Sequence, residues 1–193
     1  MTKILLIIGL GFSLLTGGYL FYLAKTTNVK DLQNALKATT IIYDKNGDQA
    51  GSLTGQKGTY VELDAISENL QNAVVATEDR SFYKNSGINY GRFFLAILTL
   101  GRSGGGSTIT QQLAKNAYLS QDQTVERKAK EFFLALEINK KYSKKEILTM
   151  YLNNAYFGNG VWGIEHASKK YFGVSASQLS LDQSAVLAGM LKG

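Results

Sequence analysis

An uncharged run from Ile4 to Ala24 is the feature that most limits what this 193-residue chain can fold into. A helix of about 20 apolar residues crosses the hydrocarbon core of a bilayer. Lys3 and Lys25 flank the run on either side, so the charges give little signal for its orientation. A cleaved signal peptide is the alternative, but Tyr22 occupies the position before cleavage where a small residue is preferred. The run therefore predicts a transmembrane anchor over residues 1–25.

The composition after the anchor is that of a folded domain whose chemistry rests on carboxylates and cations. Hydrophobic residues make up 45% of the chain and charged residues 19%, which is typical of a globular protein. The absence of Cys excludes disulfides and thiolate metal sites. A single histidine, His166, excludes the usual multi-histidine metal sites and disfavours a Ser-His-Asp triad. The net charge of +6 favours an anionic partner.

Residues 26–65 are predicted to form a linker with a small β element. Thr40–Tyr43 is rich in strand-forming residues, and Asn46–Gly47 is a hairpin turn signal. Gly58–Leu63 is predicted to supply a further strand.

From Ile66 onward the apolar spacing is helical, which predicts a mainly α domain over residues 66–193. Capping-box patterns at Thr108–Gln111 and Ser143–Glu146 mark two helix starts. The predicted helices cover residues 66–77, 90–100, 108 onward, 125–140, 143 to before 158, 163–171 and 180–191. The last helix runs to the end of the chain without a closing loop, so we expect the domain to be incomplete at its C terminus.

Two glutamates stand out as candidate catalytic groups. Glu78 falls at the negative end of its predicted helix beside apolar neighbours, an environment that favours a proton acceptor. Glu131 lies on an otherwise apolar face of the helix over residues 125–140, where a buried carboxylate needs a partner. Arg127 and Lys128 have the spacing to supply that partner. Paired carboxylates in different surroundings are typical of enzymes that act on glycosyl groups. The alternatives are that Glu78 is a solvated residue at a helix end and that Glu131 belongs to a structural ion pair.

A glycine-rich segment, Gly104–Gly106, leads into the capped helix that begins near Thr108. The free N–H groups at such a helix start can bind an anion, and Gln112 and Lys115 follow within the first turns. The spacing is not that of a P-loop. A mobile loop before an ordinary helix is the alternative.

Taken together, these segments resemble the motifs of the peptidoglycan glycosyltransferases, glycosyltransferase family 51. Glu78–Tyr83, Gly106–Asn116 and Arg127–Glu131 resemble the first three motifs. Glu146–Gly158 is similar to the fourth motif and Leu179–Gly189 to the fifth. The five motifs occur in order, and the resemblance covers roughly residues 40–193. They look most like those of class A bifunctional penicillin-binding proteins.

The resemblance implies a lysozyme-like helical domain of two lobes on the outer face of the cytoplasmic membrane. It also implies polymerisation of lipid II into glycan strands, with inversion at the sugar and release of undecaprenyl pyrophosphate. The implied partners are lipid II, the lipid-linked glycan chain, the membrane and proteins of cell-wall synthesis or division, with no nucleic acid. A divalent ion, Mg²⁺ or Mn²⁺, at Glu131 is the one cofactor that the resemblance leaves open.

The motifs also imply roles for individual residues. Glu78 matches the general base, and Glu131 matches the second glutamate, which supports the acceptor or the pyrophosphate. The implied substrate-binding residues are Asp79 and Phe82 around the base, Ser107, Thr108, Gln111, Gln112 and Asn116 in the cleft, and Lys115, Arg127 and Lys128 at the pyrophosphate. Asn85 and Gln183 depart from the motifs, which often carry His and Glu at these positions.

Two rival functions remain open from the sequence. A glycan hydrolase of similar fold would also use glutamates in a cleft, but it would act on intact cell wall and would not need the cations. A non-catalytic membrane scaffold would not need both Glu78 and Glu131.

Overall fold

The computed structural model describes residues 39–54, 59–99, 106–119 and 124–191, together with positions 18, 19, 22, 23, 26, 29 and 32. The predicted anchor, residues 1–25, therefore lies almost wholly outside the described residues. Within the described part of the chain, no helix combines the length and apolar character needed to cross a bilayer.

The predicted hairpin is present. Strands β1 (Thr39–Tyr43) and β2 (Gln49–Thr54) pair antiparallel, with a bulge between Ile42 and Tyr43. The turn depends on Gly47, whose φ of 88° favours glycine.

The predicted strand at Gly58–Leu63 is wrong. Its described part before Leu63 is not a strand, and Leu63–Ala65 is a single 3₁₀ turn. The reason is a side chain that takes the place of a neighbouring strand. Asn153 accepts from the Val61 N–H at 2.8 Å and donates to the Val61 carbonyl, also at 2.8 Å. The ladder groups of Val61 are therefore satisfied without a sheet.

The described residues after the hairpin are mainly helical, as predicted. The helices are α1 (Glu68–Glu78), α2 (Tyr90–Leu98), α3 (Ile109–Tyr118), α4 (Val125–Lys141), α5 (Lys144–Asn154), α6 (Ile164–Phe172) and α7 (Leu181–Met190). Both predicted capping boxes are formed, at the starts of α3 and α5. A second 3₁₀ turn, Ala176–Gln178, lies before α7.

Helix α5 forms the centre of the core. Its residues Ile147–Asn154 are all buried. Helix α3 packs against both α4 and α5, while α1 packs against α7. This arrangement brings the end of α1, the start of α3 and one face of α4 around the central helix, which positions the candidate site.

Candidate active site

Glu78 is the last residue of α1, and its carboxylate is held by a chain of two hydrogen bonds. Gln112 of α3 donates from Nε2 to Glu78 Oε2 at 2.7 Å. Tyr151 of α5 donates from its hydroxyl to Gln112 Oε1 at 3.1 Å. Burial and the nearby Glu78 charge raise the pKa of Tyr151, so its hydroxyl stays protonated as a donor. Among the described residues, no hydrogen bond reaches the second oxygen of Glu78, Oε1.

Asp79 follows Glu78 but has a different environment. Its side chain is buried and accepts hydrogen bonds from Ser81 Oγ at 2.9 Å, Asn85 Nδ2 at 3.0 Å and the Ile109 backbone N–H at 3.3 Å. Phe82 is fully buried beneath this turn. Asp79 therefore fixes the chain directly after Glu78 and joins it to the start of α3.

The start of α3 is built by two of the residues that the sequence placed in the cleft. Thr108 and Gln111 are buried and cap each other: Thr108 Oγ1 accepts from the Gln111 N–H at 3.1 Å, and Gln111 Oε1 accepts from the Thr108 N–H at 3.0 Å. Thr108 Oγ1 also donates to the Gly87 carbonyl at 2.6 Å. Both side chains therefore shape the helix start.

Glu131 lies on the buried face of α4 with 1% of its surface exposed. Of the two cations that the spacing allows, Lys128 is the one that binds its carboxylate. The same ammonium donates to Ser107 Oγ at 2.8 Å, which connects α4 to the segment before α3.

Two cations at this site have donors to spare. The Nε of Arg127 is buried and has no hydrogen-bond partner among the described residues. Lys115 is half-buried on α3, and its ammonium group forms no hydrogen bond or ion pair with any residue that the structure describes. Asn116, beside it, is also half-buried. A buried guanidinium nitrogen without a partner is costly, so the Arg127 side chain is suited to bind an anionic ligand.

The residues around Glu131 do not fit a protein-held divalent ion. Among the described residues, no group of three or more His, Cys, Asp or Glu side chains comes together. One Glu131 oxygen is already bound by an ammonium group, which repels a metal ion. No catalytic step is therefore assigned to a metal.

The sequence missed Tyr151, which lies within the fourth motif but was given no role. The sequence feature that could have identified Tyr151 is its hydroxyl group, which stands among apolar residues of the same helix such as Leu148, Met150 and Leu152. A buried tyrosine hydroxyl usually has a partner.

The helical fold, the convergence of three motif segments at Glu78, and the contact of a fourth segment with Ser107 define the class of protein. Residues 46–193 match the model of the transglycosylase family, and the chain belongs to this family. Over all 193 residues it is 79% identical to penicillin-binding protein 2a of Streptococcus pneumoniae (serotype 2, strain D39).

More distant relatives match the same region. Penicillin-binding protein 1A of Aquifex aeolicus is 45% identical over 78% of the chain, and penicillin-binding protein 1A/1B of Bacillus subtilis is 43% identical over 79%. The chain spans 26%, 21% and 17% of the length of these three relatives, in the order given. The resemblance to the glycosyltransferase part of penicillin-binding proteins is thereby confirmed.

Proposed function

We propose that this chain catalyses peptidoglycan glycosyl transfer, polymerising lipid II into glycan strands with release of undecaprenyl pyrophosphate. The observation that carries the proposal is the state of Glu78. One of its oxygens is held by Gln112 at 2.7 Å, while the other has no partner among the described residues. A carboxylate fixed in this way is suited to accept a proton from an incoming hydroxyl group.

In the proposed reaction, the sugar 4-hydroxyl of lipid II attacks the anomeric carbon of the lipid-linked glycan donor. The new C–O bond forms as the bond from that carbon to the pyrophosphate oxygen breaks. The hydroxyl proton moves to Glu78 Oε1, and the electron pair leaves with the pyrophosphate. Attack from the side opposite the leaving group inverts the sugar. Gln112 and Tyr151 hold the base in position during this step.

The leaving pyrophosphate gains negative charge in the transition state, and preorganised cations stabilise such charge. Lys115 and Arg127 have unused donors for this purpose. Lys128 adds a third cation, which Glu131 and Ser107 hold in place. We assign Glu131 the role of organising this cation rather than contacting the reacting sugar.

We further propose that residues 4–24 anchor the protein and that the catalytic domain lies outside the cytoplasm. Helix α2 supports contact with lipid. Its Tyr90, Phe94 and Leu95 side chains are exposed, Phe94 by 60%. Apolar side chains on such a surface helix can enter the membrane interface, from which a lipid-linked substrate would arrive.

The decisive experiment incubates the purified protein with lipid II in detergent micelles and measures glycan length by gel electrophoresis. We expect strands of many disaccharides. Incubation with intact cell wall serves as the second arm. Release of soluble sugars from cell wall without polymerisation of lipid II would show that the protein is a hydrolase.

The orientation is tested separately with spheroplasts and an external protease. We expect digestion of the domain after residue 30. Protection of that domain from the protease would contradict the proposed location.

A further inference from the structure

We propose that Lys144 is a positioning residue for catalysis, acting through Asn85 and Asp79 on the segment that carries Glu78. The proposal rests on the proposed function. Lys144 lies outside the motif residues assigned to the substrate, at the first position of α5.

Lys144 is half-buried, and its ammonium group contacts the domain. Its ammonium nitrogen donates to Asn85 Oδ1 at 3.0 Å and lies 4.8 Å from the centroid of the Phe82 ring. Burial lowers the pKa of Lys144, while the charge of Asp79 acts in the opposite direction. Its neighbour Lys145 is exposed. The fold therefore places one of two adjacent lysines against the turn that follows Glu78.

Asn85 connects this cation to Asp79. Its Nδ2 donates to both Asp79 oxygens, at 3.0 and 3.2 Å. Its Oδ1 accepts from Lys144 and from the Gly87 N–H, both at 3.0 Å. The Asn85 amide accepts through its oxygen and donates through its nitrogen, so it links the Lys144 ammonium group to the Asp79 carboxylate. The position of the ammonium group therefore affects the orientation of that carboxylate. The buried Asp79 charge gains a nearby cation without a direct ion pair.

Asp79 in turn fixes the position of Glu78, because the two adjacent carboxylates both accept hydrogen bonds from helix α3. Asp79 Oδ2 accepts from the backbone N–H of Ile109, the first residue of α3. Glu78 accepts from Gln112, three residues further along α3. Loss of the Lys144 charge would free Asn85 and Asp79 to reorient, and Glu78 would move with them. A misplacement of about 1 Å at a reacting group can cost about 100-fold in rate.

The test compares Lys144→Met with Lys145→Met in the full protein. Methionine keeps an apolar stem over Phe82 but removes the charge. We expect Lys144→Met to lower kcat for lipid II polymerisation by about tenfold or more, with KM within about twofold of the parent value. Lys145→Met should have the kcat and KM of the parent. Lys144→Arg should keep most of the parent kcat, because arginine supplies a cationic donor at the same place.

A second variant covers the case in which Lys144→Met fails to fold. Asn85→Asp keeps an acceptor for Lys144 but cannot donate to Asp79, so it should lower kcat in the same way. The double variant Asn85→Asp/Lys144→Met should be less impaired than the product of the two single effects, since both act on one network. Parent-like kcat in a folded Lys144→Met or Asn85→Asp protein would overturn the positioning role. A parent protein that does not polymerise lipid II would instead overturn the proposed function.

Discussion

Glu78 and Asp79 are adjacent carboxylates to which the fold gives different environments. Asp79 is buried, and both of its oxygens accept hydrogen bonds from its own domain. Glu78 is only half-buried, and among the described residues its carboxylate accepts a hydrogen bond from Gln112 alone. Glu78 therefore has a free carboxylate oxygen for the proposed proton transfer, whereas the oxygens of Asp79 are used within the domain.

Glu78→Gln should reduce polymerisation by about 100-fold or more, because the amide cannot take up the hydroxyl proton. The amide is nearly isosteric and lies beside Gln112, so the melting temperature should stay close to that of the parent. Lipid II turnover and a thermal melt on the same sample measure both effects. Glu137→Gln, at an exposed pair with Lys140, is the control. Near-normal turnover by folded Glu78→Gln protein would remove Glu78 from its role.

Lys115→Ala should weaken binding of a phosphoglycolipid analogue of the donor by about 1.5–3 kcal/mol, the usual contribution of a hydrogen bond to a charged group. Glu131→Gln should behave differently, because it keeps the cations and removes only their anionic partner. We expect it to impair turnover more than analogue binding. Analogue titrations and turnover assays on both variants test this. Parent-like analogue affinity in both Lys115→Ala and Arg127→Ala would refute the pyrophosphate assignment.

Residue type and spacing were enough to select Glu78, Glu131 and the nearby cations. They could not decide which cation binds Glu131, because Arg127 and Lys128 both lie within one turn of it. The structure shows Lys128 there, bridging to Ser107. That choice depends on a contact between segments 21 residues apart in the chain, which helical spacing does not encode.

At the scale of elements, sequence signals worked where the determinants are local. Capping boxes at Thr108 and Ser143 predicted the starts of α3 and α5, because all partners lie within four residues. The predicted strand near Val61 failed because its hydrogen-bond partner, Asn153, is 92 residues away. Strand formation depends on such distant partners more than helix formation does.

The contact between Asn153 and Val61 suggests a paired substitution. Asn153→Ala should lower the free energy of unfolding by about 2–3 kcal/mol, because it leaves two backbone groups of Val61 without partners. Asn154→Ala is the matched control. The Asn154 amide is buried, and neither of its atoms is hydrogen-bonded to a described residue, so its loss should lower the free energy of unfolding by less. Urea unfolding of the two variants compares them. A larger loss in Asn154→Ala would contradict this account of the Val61 segment.

Glu165 on α6 gives the fold a defined pH dependence. Burial raises its pKa, but hydrogen bonds from Lys169 Nζ at 2.8 Å and the Ala176 N–H at 2.8 Å outweigh burial and hold it below the ordinary value of 4.5. Because folding lowers the pKa of Glu165, its ionised form stabilises the fold when the pH is above the ordinary pKa of 4.5. This contribution is lost as the pH falls through the pKa of the folded state. Glu165→Gln should therefore lose less stability than the parent between about pH 5 and pH 3. Thermal melts across this range, with Glu137→Gln as control, test the prediction; equal slopes in parent and Glu165→Gln would contradict it.

At the scale of the whole molecule, two described residues before the hairpin, Val29 and Leu32, contact the helical domain that follows. Val29 and Leu32 are buried members of the main core cluster. The Leu32 N–H donates to the Tyr142 hydroxyl at 3.1 Å, and Lys141 Nζ donates to the Val29 carbonyl at 3.4 Å. Sequence patterning could not predict these two contacts, because contacts across more than 100 residues leave no periodic signal.

Tyr142→Phe tests how firmly this segment is held. The variant leaves the buried Leu32 N–H without an acceptor, so it should lower the free energy of unfolding by about 1–3 kcal/mol. Tyr83→Phe is the control, because Tyr83 is an exposed tyrosine. The effect should disappear when residues 1–38 are removed, since the N–H is then absent. Urea unfolding of the long and shortened proteins, each with Tyr or Phe at position 142, forms a double-mutant cycle. A Tyr142→Phe effect of the same size in both lengths would show that the segment does not stabilise the domain through this contact.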